Sequence, residues 1–108
     1  MNLGLKDDGQ KPNLSLCDPY ALVLWGSVMT YGASKYGVNN WRLRIAYTRL
    51  IAAMMRHIVA FASGEDVDPE SGELHMAHVM ANASMLITMP RRFDDRYREV
   101  PDGTGAQL

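Results

Sequence analysis

The chain has 108 residues, 47% of them hydrophobic and 21% charged, with a formal net charge of -1 and a single cysteine, Cys17. That length makes one domain able to bury about two-thirds of its extended surface. The charge balance argues against a general basic surface, so no DNA or RNA duplex partner is expected, and a lone cysteine excludes an internal disulfide or a cysteine-built zinc cluster.

Residues 1–17 read as an extended or loosely ordered arm, because Lys6, Asp7, Asp8, Gly9, Gln10, Lys11 and Pro12 are poor core material. The opening MNLGLKDDGQ lacks the apolar segment of a signal peptide. Asp18-Pro19 is a helix start: the carboxylate caps orphan amides and proline suits the first helical position. The first helix is expected over 19–33. Its apolar residues Leu22, Val23, Leu24, Trp25, Val28 and Met29 point in every direction, so other helices or a second subunit should cover it. The uncharged run from Pro19 to Ser34 is too short to span a membrane. No membrane partner and a cytoplasmic setting are expected.

The stretch GASKYGVNNW, Gly32 to Trp41, has the composition of a turn that also presents side chains. Gly32 or Gly37 is the candidate stop for the first helix. A second helix is expected from Trp41 or Arg42 to Ser63, with Gly64 as its stop. Leu50, Ile51, Met54, Met55, Ile58, Val59 and Phe61 form its apolar face. Arg42, Arg49 and Arg56 recur every seven residues as a stripe, with His57 at the edge. The stripe is either a solvated face or an anion site, for which the bidentate arginine fork is well suited.

The acidic loop GEDVDPESGE follows, with Glu65, Asp66, Asp68, Glu70 and Glu73. It reads as a divalent-ion site or as a solvated connection, without the spacing of an EF-hand. The third helix is expected over 72–89, stopping at Pro90. On it His75, His78 and Asn82 share one face amid apolar residues. Such groups need polar partners or a pocket. RRFDDRYR, residues 91–98, suits a short terminal helix or an amphipathic flap with Arg91, Arg92, Arg96 and Arg98, and the tail 99–108 reads as disordered. The expected fold class is all-α: a small bundle of three main helices plus a short C-terminal helix, completed by homo-oligomerisation.

Three pieces occur in order: KYG (Lys35–Gly37) before Asn40-Trp41; Arg56-His57 before GED (Gly64–Asp66); and DPESG (Asp68–Gly72) before His75, His78 and Asn82. Together they resemble the dATP/dGTP diphosphohydrolase N-terminal domains of phages and bacteria, a group associated with the all-α MazG-like pyrophosphatases. The likeness covers about residues 20–87. It implies a purine nucleotide ligand, packed-helix oligomers, and magnesium-dependent hydrolysis to a monophosphate and pyrophosphate. The chain departs from the broader MazG-like pattern of ExxE and ExxD metal pairs: between Pro19 and Val67 the only acids are Glu65 and Asp66.

Two mechanisms are compatible with these residues. In a hydrolase, Glu65, Asp66 and Asp68 ligate magnesium, while Lys35, Arg49 and Arg56 neutralise phosphates. His75 or His78 activates water, Tyr36 or Trp41 stacks on the base, and Asn40 or Asn82 reads its edge, with His57 beside them. In a binding module the same groups hold a linear or cyclic nucleotide without turnover, as a phage counter-defence protein would. A third reading, a structural helical protein, leaves these polar residues to satisfy one another.

Overall fold

A computed structural model describes residues 3–43 and 45–92, with side chains through residue 89. Three helices dominate: α1 (Pro19–Tyr36), α2 (Tyr47–Ala62) and α3 (His75–Arg92). Short 3-10 turns occupy Leu14–Leu16 and Asn40–Arg42. Among the described residues there is no strand, only an isolated antiparallel bridge between Val67 and Leu74. No described helix is long and apolar enough to cross a membrane.

The start of α1 follows its local signals. Asp18 Oδ1 accepts the Tyr20 amide at 2.8 Å, and Pro19 fills the first turn. The helix runs three residues past the expected end, to Tyr36. Gly37, at φ 97°, then ends it, its amide donating to the Ala33 carbonyl at 2.8 Å. Gly32 therefore lies inside the helix. This extension puts Lys35 and Tyr36 on the last helical turn.

The second helix starts later than expected. Trp41 and Arg42 belong to the 3-10 turn, and α2 begins only at Tyr47. Leu43 and Ala46 have extended backbones, and they break the helical path. The break lets Trp41 and Ile45 pack against a core cluster of Tyr47, Leu50 and Met89. Arg42 consequently leaves the α2 stripe and lies over the Trp41 ring, 4.3 Å from its centroid. Arg49 and Arg56 remain on α2.

The third helix is shifted at both ends. Residues 72–74 stay in the loop, because Gly72 adopts φ 76° and Leu74 pairs with Val67. At the other end the helix continues through Pro90 to Arg92. Proline there removes one amide donor. Met89, 1% exposed against Tyr47 and Leu50, holds the last turns in place by burial. Residues 91–92 thus extend α3, while the rest of the expected terminal helix, with Phe93, Arg96, Tyr97 and Arg98, lies outside the described residues.

α3 is the central element and packs on both α1 and α2. Its first half meets α1 through Ala77 and Ala81 on Val28, with Leu24, Trp25, Met29 and Leu74 around them. Its second half meets α2 through the Tyr47–Leu50–Met89 cluster. Alanines at the α1 contact allow close helix approach. The arm is exposed from Leu3 through Asp18.

Candidate functional site

The loop between α2 and α3 is a hydrogen-bonded turn rather than a slack connection. Asp68 organises it. Its backbone amide donates to the Glu73 carbonyl at 2.8 Å, and its carbonyl accepts the Gly72 amide at 2.8 Å. Asp68 Oδ1 accepts the Glu70 amide, and Oδ2 accepts the Ser71 hydroxyl at 3.0 Å. Two side chains then tie the loop to α1: Ser27 Oγ donates to Glu73 at 2.6 Å, and Lys35 Nζ to Glu70 at 2.8 Å. The Glu70 contact holds the Lys35 ammonium pKa well above its ordinary value, with a hydrogen bond to Tyr36 adding to it.

This loop closes one end of an open cleft of about 1160 Å³ between α1, the turn at 37–41, α2 and α3. The cleft wall includes Lys35, Tyr36, Asn40 and Trp41 from the first segment, Arg49, Arg56 and His57 from α2, and His75, His78 and Asn82 from α3. Of the three acids named from sequence as metal ligands, Asp68 lines the cleft and Glu65 and Asp66 do not. Asn82 spends one amide hydrogen on the His78 carbonyl at 2.8 Å.

The three histidines form one cluster although they come from two helices. His57 and His78 stack with rings 4.3 Å apart and 3° from parallel. His57 Nδ1 lies 2.8 Å from His75 Nδ1. His75 Nε2 lies 2.7 Å from Glu65 Oε1. These distances assign the protons for neutral rings. A carboxylate only accepts, so His75 carries its proton on Nε2 and its Nδ1 is bare. His57 must then donate from Nδ1, which leaves His57 Nε2 with a lone pair. His78 Nε2 contacts Ser71 Oγ at 2.7 Å and lies 3.4 Å from Asp68 Oδ2. Since Ser71 donates to Asp68, His78 donates to Ser71.

The electrostatics favour uncharged rings at His57 and His78. Burial lowers the His57 pKa, reinforced by His78 and His75, while Asp68 opposes the shift only in part. Burial also lowers His78, against an upward pull from Asp68 and Glu73. For Asp68 itself burial pushes upward, but hydrogen bonds from Glu70 and Ser71 and the nearby His78 outweigh it and keep the carboxyl low. Among the described residues one metal-capable group of side chains results: His57, Asp68 and His78 have ligand atoms within 4.8 Å of one another.

Two residues of this site escape a sequence reading. Ser71 joins His78 to Asp68, and its only signal is the DPES turn. Tyr31 sets its ring edge-on to His78 with centroids 6.3 Å apart, and it lies one helical turn before Lys35. His57 is readable as a cleft residue, but its pairing with Asp68 and His78 spans 11 and 21 positions and has no local spacing.

Comparison with known proteins bears on the same residues. The family model described as dATP/dGTP diphosphohydrolase, N-terminal, matches residues 1–96. A protein of Salmonella phage PMBT28 named dATP/dGTP diphosphohydrolase is 31% identical over 108 residues, covering 96% of this chain. The chain spans 37% of that relative's length. No solved structure gives a significant match. The family match takes in all three helices, the acidic loop and every cleft residue named above, and the chain belongs to the dATP/dGTP diphosphohydrolase N-terminal family.

Proposed function

We propose that this chain binds a purine deoxynucleoside or ribonucleoside triphosphate in the cleft and acts as a pyrophosphohydrolase-like module that releases a monophosphate and pyrophosphate. One observation carries the reading: the cationic groups Lys35, Arg49 and Arg56, the aromatic groups Tyr36 and Trp41, and the imidazole cluster all line one cleft. Arginine forks and an ammonium suit the polyphosphate, an aromatic face suits the base, and Asn40 or Asn82 suits its edge. The name of the phage relative supports a purine nucleotide.

In this reading a water oxygen attacks the α-phosphorus and the bond to the β-phosphate bridging oxygen breaks. Pyrophosphate leaves, and the water's proton goes to the cluster or to solvent. The cations neutralise charge on the leaving group. His75 and His78 orient the cluster, through Glu65 and Ser71 respectively. The acids around the cleft do not make a magnesium site. Magnesium prefers an octahedron of oxygens, yet Glu65, Glu70 and Glu73 are each engaged elsewhere, with His75, Lys35 and Ser27.

That dispersal of carboxylates favours a second reading, in which the cleft sequesters a linear or cyclic nucleotide unchanged. Incubating the protein with dNTPs, NTPs and cyclic dinucleotides separates the two. Monophosphate with pyrophosphate supports the hydrolase. Intact nucleotide released only by denaturation supports sequestration, and no bound nucleotide of any kind overturns both.

The proposal includes a homo-oligomer. Leu22 and Val23 on α1, and Met55 and Val59 on α2, are 55%, 66%, 60% and 62% exposed. A second copy is the occupant that these apolar faces call for, since α1 carries no charged side chain before Lys35.

A further inference from the structure

We propose that His57, Asp68 and His78 bind one divalent transition-metal ion of the manganese-to-zinc range, in preference to magnesium. The inference shares the cleft of the reading above and rests on it only for the ion's relation to a nucleotide.

The donor set is the first argument. Two imidazoles and one carboxylate make a nitrogen-rich site. Imidazole suits zinc, iron and similar ions, whereas magnesium takes oxygens. Two histidines and a carboxylate, with remaining positions open, are the donors of many catalytic ions. Their ligand atoms lie within 4.8 Å of one another. Around a tetrahedral ion with bonds of about 2.1 Å, ligand atoms sit roughly 3.4 Å apart. The pair His78 Nε2 and Asp68 Oδ2 is already at 3.4 Å. The ligand atoms need close by little more than an ångström at their widest, and the stacked His57 and His78 rings must tilt out of parallel so that both in-plane lone pairs reach one ion.

The hydrogen bonds that the three ligands make to their neighbours point the same way. A metal-bound histidine usually donates its other ring proton to a fixed acceptor, which sets its tautomer and raises its basicity. His57 does this through His75, which is itself anchored on Glu65. The chain Glu65–His75–His57 therefore leaves His57 Nε2 bare. Asp68 is likewise held by Ser71 and by the Glu70 amide. Metal entry exchanges the Ser71–His78 hydrogen bond for a bond from His78 Nε2 to the ion, with the His78 proton moving from Nε2 to Nδ1, while Ser71 stays as a donor to Asp68. Glu65 and His75 are positioning residues in this scheme, and they bear on why an acid outside the cleft matters to it.

The test uses tag-free full chain, stripped with chelator and titrated with Mn²⁺, Co²⁺, Zn²⁺ and Mg²⁺ by calorimetry, without nucleotide. The expected result is one ion per chain, with Co²⁺ or Zn²⁺ bound at least about 10-fold more tightly than Mg²⁺. His57→Ala and Asp68→Asn should abolish the preference, and Glu65→Gln should weaken Co²⁺ and Zn²⁺ binding by about 10-fold while leaving one ion per chain. Paramagnetic broadening by Co²⁺ of the His57 and His78 ring signals in the unmutated protein provides the readout if a variant fails to fold. Binding that survives His57→Ala but is lost in Asp66→Asn, or broadening confined to other residues, overturns the site. Metal binding without any nucleotide binding sinks the nucleotide reading and leaves the metal site standing. Nucleotide binding by an unmutated chain that shows no preference for Co²⁺ or Zn²⁺ over Mg²⁺ does the reverse.

Discussion

His57 and His75 face each other nitrogen to nitrogen, Nδ1 to Nδ1 at 2.8 Å, with Glu65 behind His75 at 2.7 Å. Two like atoms at that distance require one donor and one acceptor, so the pair has a definite proton arrangement. Long-range proton–nitrogen NMR at neutral pH should find His57 in the Nδ1-protonated form. Glu65→Ala removes the group that orients His75. Loss of one hydrogen bond of about 1 kcal/mol should shift the His57 tautomer ratio by about 5-fold toward Nε2–H. A ratio unchanged in Glu65→Ala would show that the carboxylate does not set the arrangement.

Stability of the metal-free protein should fall as pH drops below about 6.5. Folded His57 and His78 both titrate below their ordinary value, chiefly through burial. Between the folded and unfolded pKa the unfolded chain holds more protons, so stability rises with pH and is lost on acidification through that window. The groups facing His57 are His75 and His78 from α3, Asp68 from the loop and neighbouring Arg56. Asp68, also lowered, adds a further loss nearer pH 4 and below, as it becomes protonated. Thermal melts in chelator from pH 8 to pH 5 measure the histidine part, and a midpoint that stays flat across that range contradicts it.

Glu70 competes with any anionic ligand for Lys35. Their contact at 2.8 Å is exposed, 41% and 68% at the two side chains, so it contributes little to folding. Glu70→Gln should strengthen triphosphate binding by roughly 3–10-fold, since the ammonium is then free for phosphate. Lys35→Ala should weaken it by at least as much. Neither should move the thermal midpoint appreciably. Equal weakening by both variants would mean that the pair acts as a unit and not as a competitor.

Ala81 is 1% exposed where α3 meets Val28 of α1. Ala81→Leu should destabilise the fold by about 1–3 kcal/mol, because extra methylenes at a close helix contact force the helices apart. Denaturant unfolding measures it. A neutral result would show that α1 and α3 are not closely apposed in solution.

Val59 and Val23 should matter for assembly more than for the fold. Val59→Lys or Val23→Glu is expected to raise the monomer fraction by several-fold in light scattering, with helicity by circular dichroism unchanged. A wild-type chain that stays monomeric at high micromolar concentration removes the basis for the oligomer.

Helical class and the chemical types that line the cleft are readable along the chain, while Tyr31 is not and Glu65 and Asp66 lie outside it. Asp18-Pro19 and Gly37 mark the ends of α1 through interactions within a single turn, and the face shared by His75, His78 and Asn82 follows from helical spacing alone. Boundaries fail where packing overrides local signals. Trp41 and Ile45 leave the helical path to reach the Tyr47–Leu50–Met89 cluster, and Met89 keeps α3 helical through Pro90. In both places apolar burial outweighs a local preference worth less.

What the amino-acid order determines by itself is therefore the set of helices and the side chains each carries, because capping and 3.6-residue periodicity act within a turn or two. Only the tertiary structure decides which of those side chains meet. His57 reaches His75 and His78 because α2 packs along α3, and Asp68 joins them because the turn at 64–74 folds back on itself through the Val67–Leu74 bridge. The same packing takes Glu65 out of the expected carboxylate cluster and gives it to His75. Contacts across 10 to 21 residues depend on the angle and depth at which helices pack, and no local spacing encodes either.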